Sequence, residues 1–166
     1  YMGNDGVLFN EESDIIKHGN TYSGAVPVKY GEDPESTGDG SQIDWIVYRY
    51  ADVLTLLSEA IVRQGNSVTQ EAVDLLNQIR VRAKLSPYTM GDIKGVDDFL
   101  DKMLQERGHE FWWEGNRRAD LIRHGKFIQN AIDRGSTTTK PEFVLFPLPQ
   151  AVINEGKGII IQNPGY

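Results

Sequence analysis

The segment ERGHEFWWEGNRRADLIRHGK, residues 106–126, concentrates the side chains that could do chemistry. Glu106, Glu110 and Glu114 are four apart, His109 follows Glu106 by three, Trp112 and Trp113 are adjacent, and Arg117, Arg118 and Arg123 come next. Glu106-x-x-His109 has the spacing that sets a carboxylate and an imidazole on one helix face, as in di-iron carboxylate bundles. Such a centre needs a second Glu-x-x-His and further glutamates, and neither His18 nor His124 sits in that motif. No metal site and no cofactor is therefore expected. A glycoside hydrolase would need two carboxylates roughly 5 to 10 Å apart across an open cleft, for which Glu110 with Asp120 is the candidate pair.

The same residues admit a structural reading. Glutamates stacked at i, i+4 repel by a few tenths of a kcal/mol per pair. Arg117, Arg118 and Arg123 on the following helix would offset them in a bidentate lattice, which explains the charges without any reaction. Adjacent helical residues point about 100° apart, so Trp112 and Trp113 are expected to diverge, one inward and one at a rim. No Gly-rich phosphate loop, nucleophile elbow or HExxH occurs, and no catalytic residue is assigned.

These residues depend on the elements that carry them. Residues 1–43 are rich in Gly, Ser, Asp, Asn and Pro and read as an irregular segment, part of the same domain, with a short extended stretch at AVPVKY. From about Asp44 the texture changes: Ile46, Tyr50, Val53, Leu54, Leu57 and Ile61 recur at helical spacing, and Gly65-Asn66 ends the run. Ser67 with Gln70 reads as a capping box for a second helix reaching about Lys84. Val96 to Phe111 mark a third helix expected to end at Gly115, and NRRADLIRHGKF a shorter fourth. Two helix pairs in succession form a tetratricopeptide-like arrangement, an α-α superhelix. After a polar stretch, the Pro- and Gly-punctuated segment 145–166 reads as a strap, with a helical turn at 150–154. The fold class is all-α with long irregular loops, residues 44–166 forming its helical domain.

A chain of 166 residues suits one core. Its net charge of -7 disfavours phosphate neutralisation and so nucleic-acid binding. It has no cysteine, which excludes disulfides and thiolate metal sites. Its apolar runs are far shorter than the roughly 20 residues a membrane helix needs. The opening YMGNDG lacks an initiator methionine and a signal pattern, so the chain reads as the C-terminal part of a longer protein.

Four blocks then carry a resemblance: YRYADVLTLLSEAI (48–61), EAVDLLNQIRVRAKL (71–85), ERGHEFWWEGNRRADLIRHGKF (106–127) and LFPLPQAVINEGKGIIIQNPGY (145–166). Together, in this order, they resemble the C-terminal region of the SusD/RagB family, the outer-membrane glycan-binding lipoproteins of Bacteroidetes. The resemblance implies a non-enzymatic protein, lipid-anchored at the extracellular face. It would cap a TonB-dependent SusC-type transporter and deliver oligosaccharides or other nutrients to it. It also implies scaffold roles for Arg49, Tyr50, Asp52 and Glu59, and for Glu110, Glu114, Gly115, Arg118, Asp120, Leu121, Arg123, Gly125 and Lys126. No ligand residue of the family transfers. For sugar contact the candidates are Tyr22, Tyr30 and Trp45, flat rings in or just after the polar segment, each of which also reads as a packing residue. Two other readings stand beside this one: a helical-repeat adaptor that binds only protein, and a hydrolase using carboxylates of residues 106–120.

Overall fold

The structure is a computed structural model that describes residues 29–30, 33–35, 40 and 42–166. The chain divides into two compact units, residues 1–47 and 48–166.

The described residues of the second unit contain six α-helices, two 3-10 turns and no strand. The helices are α1 (Tyr50–Gly65), α2 (Gln70–Arg82), α3 (Val96–Glu110), α4 (Arg117–Arg123), α5 (Phe127–Asp133) and α6 (Gln150–Glu155). This is the all-α fold of helix pairs joined by long loops. None of these helices is long and apolar enough to cross a membrane.

Helix α1 starts at Tyr50 rather than near Asp44, because Arg49 is extended and commits its side chain elsewhere. It ends where Asn66 adopts a left-handed conformation, φ 45°, which asparagine tolerates better than most residues. The start of α2 is capped by Thr69 and not by Ser67: the Thr69 hydroxyl accepts a hydrogen bond from Ala72 N at 3.2 Å. Thr69→Ala should therefore cost about 1 kcal/mol in urea unfolding, while Ser67→Ala should cost no more than a few tenths.

Helices α1, α2 and α3 close the main core. Val62, Ala72, Val73, Leu76, Phe99, Leu100 and Met103 are buried together, and Tyr88, Ile93 and Val96 seal its side. A second cluster, Ala51, Leu54, Ile79 and Phe111, continues it at the other end of the hairpin.

The apolar stripe of α1 faces differently from its sequence pattern. Tyr50, Val53 and Leu57 are exposed, and the buried face includes Asp52, Thr55, Ser58 and Glu59. Polar groups can occupy that face because each meets a partner: the Ser58 hydroxyl donates to Ala72 O at 2.6 Å, and the carboxylates meet arginines.

Helix α3 also differs from expectation, stopping at Glu110 with Phe111 as its C-cap. Trp113 (φ 67°) and Gly115 (φ 83°) then take left-handed conformations, which a right-handed helix cannot accommodate. Past α4 the chain turns at Gly125, φ 66°, and forms α5, a helix the sequence reading left within the fourth helix and the polar stretch.

The C-terminal strap is held by side chains reaching backbone. The Gln162 amide accepts from Leu148 N at 2.8 Å and donates to Leu148 O at 3.0 Å. Asn163 donates to Phe146 O, the Tyr166 hydroxyl donates to Leu145 O, and the Tyr166 ring stacks on Phe143. Arg118 ties this strap to α4, donating to Phe143 O and Val144 O with its guanidinium over the Phe146 ring at 3.9 Å and the Phe127 ring at 5.1 Å.

Candidate functional site

In the first unit the described residues form a loop closed by Asp33. Its carboxylate accepts from Gln42 N at 2.6 Å and Glu35 N at 3.0 Å, and Gln42 donates to Glu35 at 3.1 Å. Loop closure returns the chain to Tyr30 and lays Trp45 against it, with ring centroids 4.9 Å apart and planes 16° from parallel. Trp45 is 57% exposed and Tyr30 half-buried. An indole backed by a second ring presents a flat, apolar, pre-organised surface, which suits the C–H face of a pyranose. Tyr22, the remaining aromatic candidate, lies outside the described residues.

In the second unit the charged residues of 106–126 meet partners other than those their adjacency suggests. Glu106 pairs with Arg80 and accepts from the Tyr88 hydroxyl at 3.0 Å. Arg49 donates to Glu110 Oε1 at 2.5 Å and to both oxygens of Glu114 at 2.8 and 3.0 Å, and Arg82 also reaches Glu110. Glu106, Glu110 and Glu114 thus find their arginines on α2 and at Arg49, the residue before α1, and the lattice expected between these glutamates and the arginines of α4 does not form. The break at residues 111–116 is the reason: α4 does not continue the glutamate face of α3. Arg117 and Arg118 donate to backbone carbonyls instead.

At the centre lies Arg107. Its Nε donates to Asp120 Oδ2 at 2.8 Å, Nη2 to Asp52 Oδ1 at 3.0 Å and Nη1 to the Thr55 hydroxyl at 2.5 Å. Arg107 and Arg49 also lie over the Phe111 ring, 4.6 and 4.4 Å from its centroid. Arg123 links the same Asp120 to Glu59, which Arg63 also contacts. Sequence reading passed over Arg107, whose position inside α3 carries no signal distinguishing it from a surface arginine.

Hydrolysis finds no support in these carboxylates. Glu110 and Asp120 are both buried and engaged by guanidinium groups, so neither faces a cleft that could hold a sugar and a water. Glu106-x-x-His109 is likewise divided, Glu106 buried on Arg80 and His109 exposed. Among the described residues no group of three or more His, Asp or Glu is placed to hold a metal ion. Trp112 and Trp113, beyond the end of α3, are both exposed, with rings 5.8 Å apart and tilted by 47°. The expected inward-facing member of this pair is absent, and the tilt leaves no shared plane.

The buried Glu59 makes the network sensitive to acid. Burial opposes its ionisation, yet contacts with His124, Arg123 and Arg63 outweigh that and hold its carboxyl below the usual carboxylate range. The His124 contact, 3.4 Å, is the longest of these, and its Nε2 has no hydrogen-bond partner. A depressed folded-state value means the unfolded chain binds the proton more tightly, so this contribution is complete above about pH 4.3 and declines as pH falls below it. Glu59→Gln should flatten the pH dependence of unfolding in that acid range, read by circular dichroism.

Comparison with known proteins places this architecture. The sequence profile of the SusD family matches residues 3–134. The chain belongs to the SusD family. It is 27% identical over 165 residues to the starch-binding protein SusD of Bacteroides thetaiotaomicron, an alignment covering 95% of this chain and 27% of that protein. A SusD homolog of the same organism superposes with a TM-score of 0.67 at 26% identity, covering 83% of this chain and 30% of the other. Surface glycan-binding protein A of B. thetaiotaomicron, solved with laminarihexaose, superposes with a TM-score of 0.54 at 30% identity over 72% of this chain and 24% of its own. The chain therefore spans about 27% of the length of the SusD protein. These SusD-family relatives are named as binding proteins and not as enzymes.

Proposed function

We propose that this chain belongs to the cell-surface carbohydrate-binding component of a SusC/SusD-type nutrient-uptake complex. In this reading the full-length protein is lipid-anchored at the extracellular face of the outer membrane. It captures oligo- or polysaccharide and passes it to a TonB-dependent transporter without a catalytic step. The helical residues 44–166 act as scaffold, residues 1–43 are a loop-rich part of the same domain, and Tyr22, Tyr30 and Trp45 contribute sugar contact. What carries the reading is kinship with a surface glycan-binding protein solved with laminarihexaose, and the exposed Trp45 face supports it locally.

One observation favours a second reading. The exposed stripe Tyr50, Val53 and Leu57 on α1 is the kind of face a helical-repeat adaptor offers to another protein. Affinity gel electrophoresis against plant, host and microbial polysaccharides separates the two. Retardation by at least one polysaccharide is the expected result; passage through all of them unretarded would favour the adaptor.

A further inference from the structure

A cleft of about 370 Å³ opens between α3 and the segment that carries α4 and the start of α5. Its chemistry is unlike that of the aromatic stack. Its lining includes the cations Arg117 and Lys126, His109, and Asp101 as its carboxylate.

Arg117, like Arg118, differs from the other arginines of the scaffold in pairing with no carboxylate. Arg49, Arg63, Arg80, Arg82, Arg107 and Arg123 each pair with a carboxylate. Arg117 meets none among the described residues; its Nη1 donates to Leu104 O at 2.6 Å. A carbonyl positions the guanidinium but leaves its full charge uncompensated and most of its fork of donors free. Gly108 completes the placement. A Cβ there would lie 2.8 Å from Nη1 and 3.1 Å from Cζ, so only glycine lets the guanidinium rest on the helix at this height. Lys126, held by Asp101, brings a second cation to the same space. Two cations against one carboxylate make the cleft locally positive on a chain whose net charge is -7.

We propose that this cleft binds the carboxylate of an acidic sugar, a uronate unit within a glycan. A carboxylate matches the planar fork of Arg117 in a way a neutral hydroxyl does not, and Lys126 supplies a point charge beside it. The cleft volume lies within the range of small-ligand sites, roughly 300–1,000 Å³. The proposal rests on the glycan reading above and deepens it by naming the ligand class.

The test is a titration of the ¹⁵N-labelled chain with sodium galacturonate, with galactose and sodium acetate as matched probes. Galacturonate should shift the Gly108 and His109 amides and the Arg117 Nε–H saturably, and galactose should not. Lys126→Gln should raise Kd on the order of tenfold, the loss of one charge-assisted hydrogen bond. Gly108→Ala removes no charge but displaces the guanidinium, and should weaken binding similarly. Added salt should weaken it further, as for any solvent-accessible ion pair. Absence of saturable shifts, equal shifts with galactose, or acetate binding as tight as galacturonate would each overturn the assignment. A chain that ignores galacturonate but is retarded by a neutral glucan loses the cleft and keeps the glycan reading. Galacturonate binding with no retardation by any polysaccharide overturns the reading and leaves the carboxylate site.

Discussion

Arg107→Ala is expected to lower the unfolding free energy by about 3–5 kcal/mol, because it leaves Asp52 and Asp120 buried without their cation. Both carboxylates are almost wholly removed from water, and Asp52 Oδ2 already lacks a hydrogen-bond partner. Asp52 therefore depends on Arg107 through its other oxygen. Asp120 keeps Arg123, so the penalty should fall mainly on the α1 side of the network. A loss of this size is a large part of the 5–15 kcal/mol that ordinarily separates folded from unfolded states. Arg107→Lys should not restore stability, since a single ammonium cannot reach Asp120, Asp52 and Thr55 together. Urea denaturation followed by circular dichroism measures this. A change below about 1 kcal/mol would place the network among exposed ion pairs of little consequence.

Trp45→Ala is expected to weaken glycan binding at least about tenfold, corresponding to roughly 1.4 kcal/mol of lost ring contact. Its exposed face offers the contact, while the Tyr30 ring beneath holds the indole in one orientation and so lowers the entropy cost of binding. Tyr30→Ala should weaken binding less, by releasing the indole rather than by removing the contact. Trp112→Ala and Trp113→Ala are the matched controls. Their rings are also exposed but do not form one plane, and their removal should leave affinity unchanged. The measurement is the dissociation constant of each variant for one oligosaccharide, by fluorescence or calorimetry.

The all-α class and the order of the helices were legible in the sequence, since i, i+3, i+4 periodicity and the Gly65-Asn66 stop are local signals. The inward face of α1 was not. Periodicity counts apolar residues, and this helix buries Asp52, Thr55, Ser58 and Glu59 because distant residues satisfy them. Partners lying 52 to 65 residues away, as Thr55 and Glu114 do from Arg107 and Arg49, leave no trace in local spacing. The end of α3 was missed for a related reason: Trp113 gives no hint of a left-handed conformation, and only Gly115 marks the turn. The choice of Tyr30 and Trp45 came from their residue type. Their stacking depends on the Asp33 loop closure, which composition does not reveal.

Glycan capture by this chain is decided by calorimetric titration with a set of neutral oligosaccharides from plant, host and microbial glycans. Saturable heat is expected with at least one of them, lost or shifted at least about tenfold in Trp45→Ala. No heat with any of them at millimolar concentration, or identical isotherms for wild type and Trp45→Ala, would refute glycan capture by this chain.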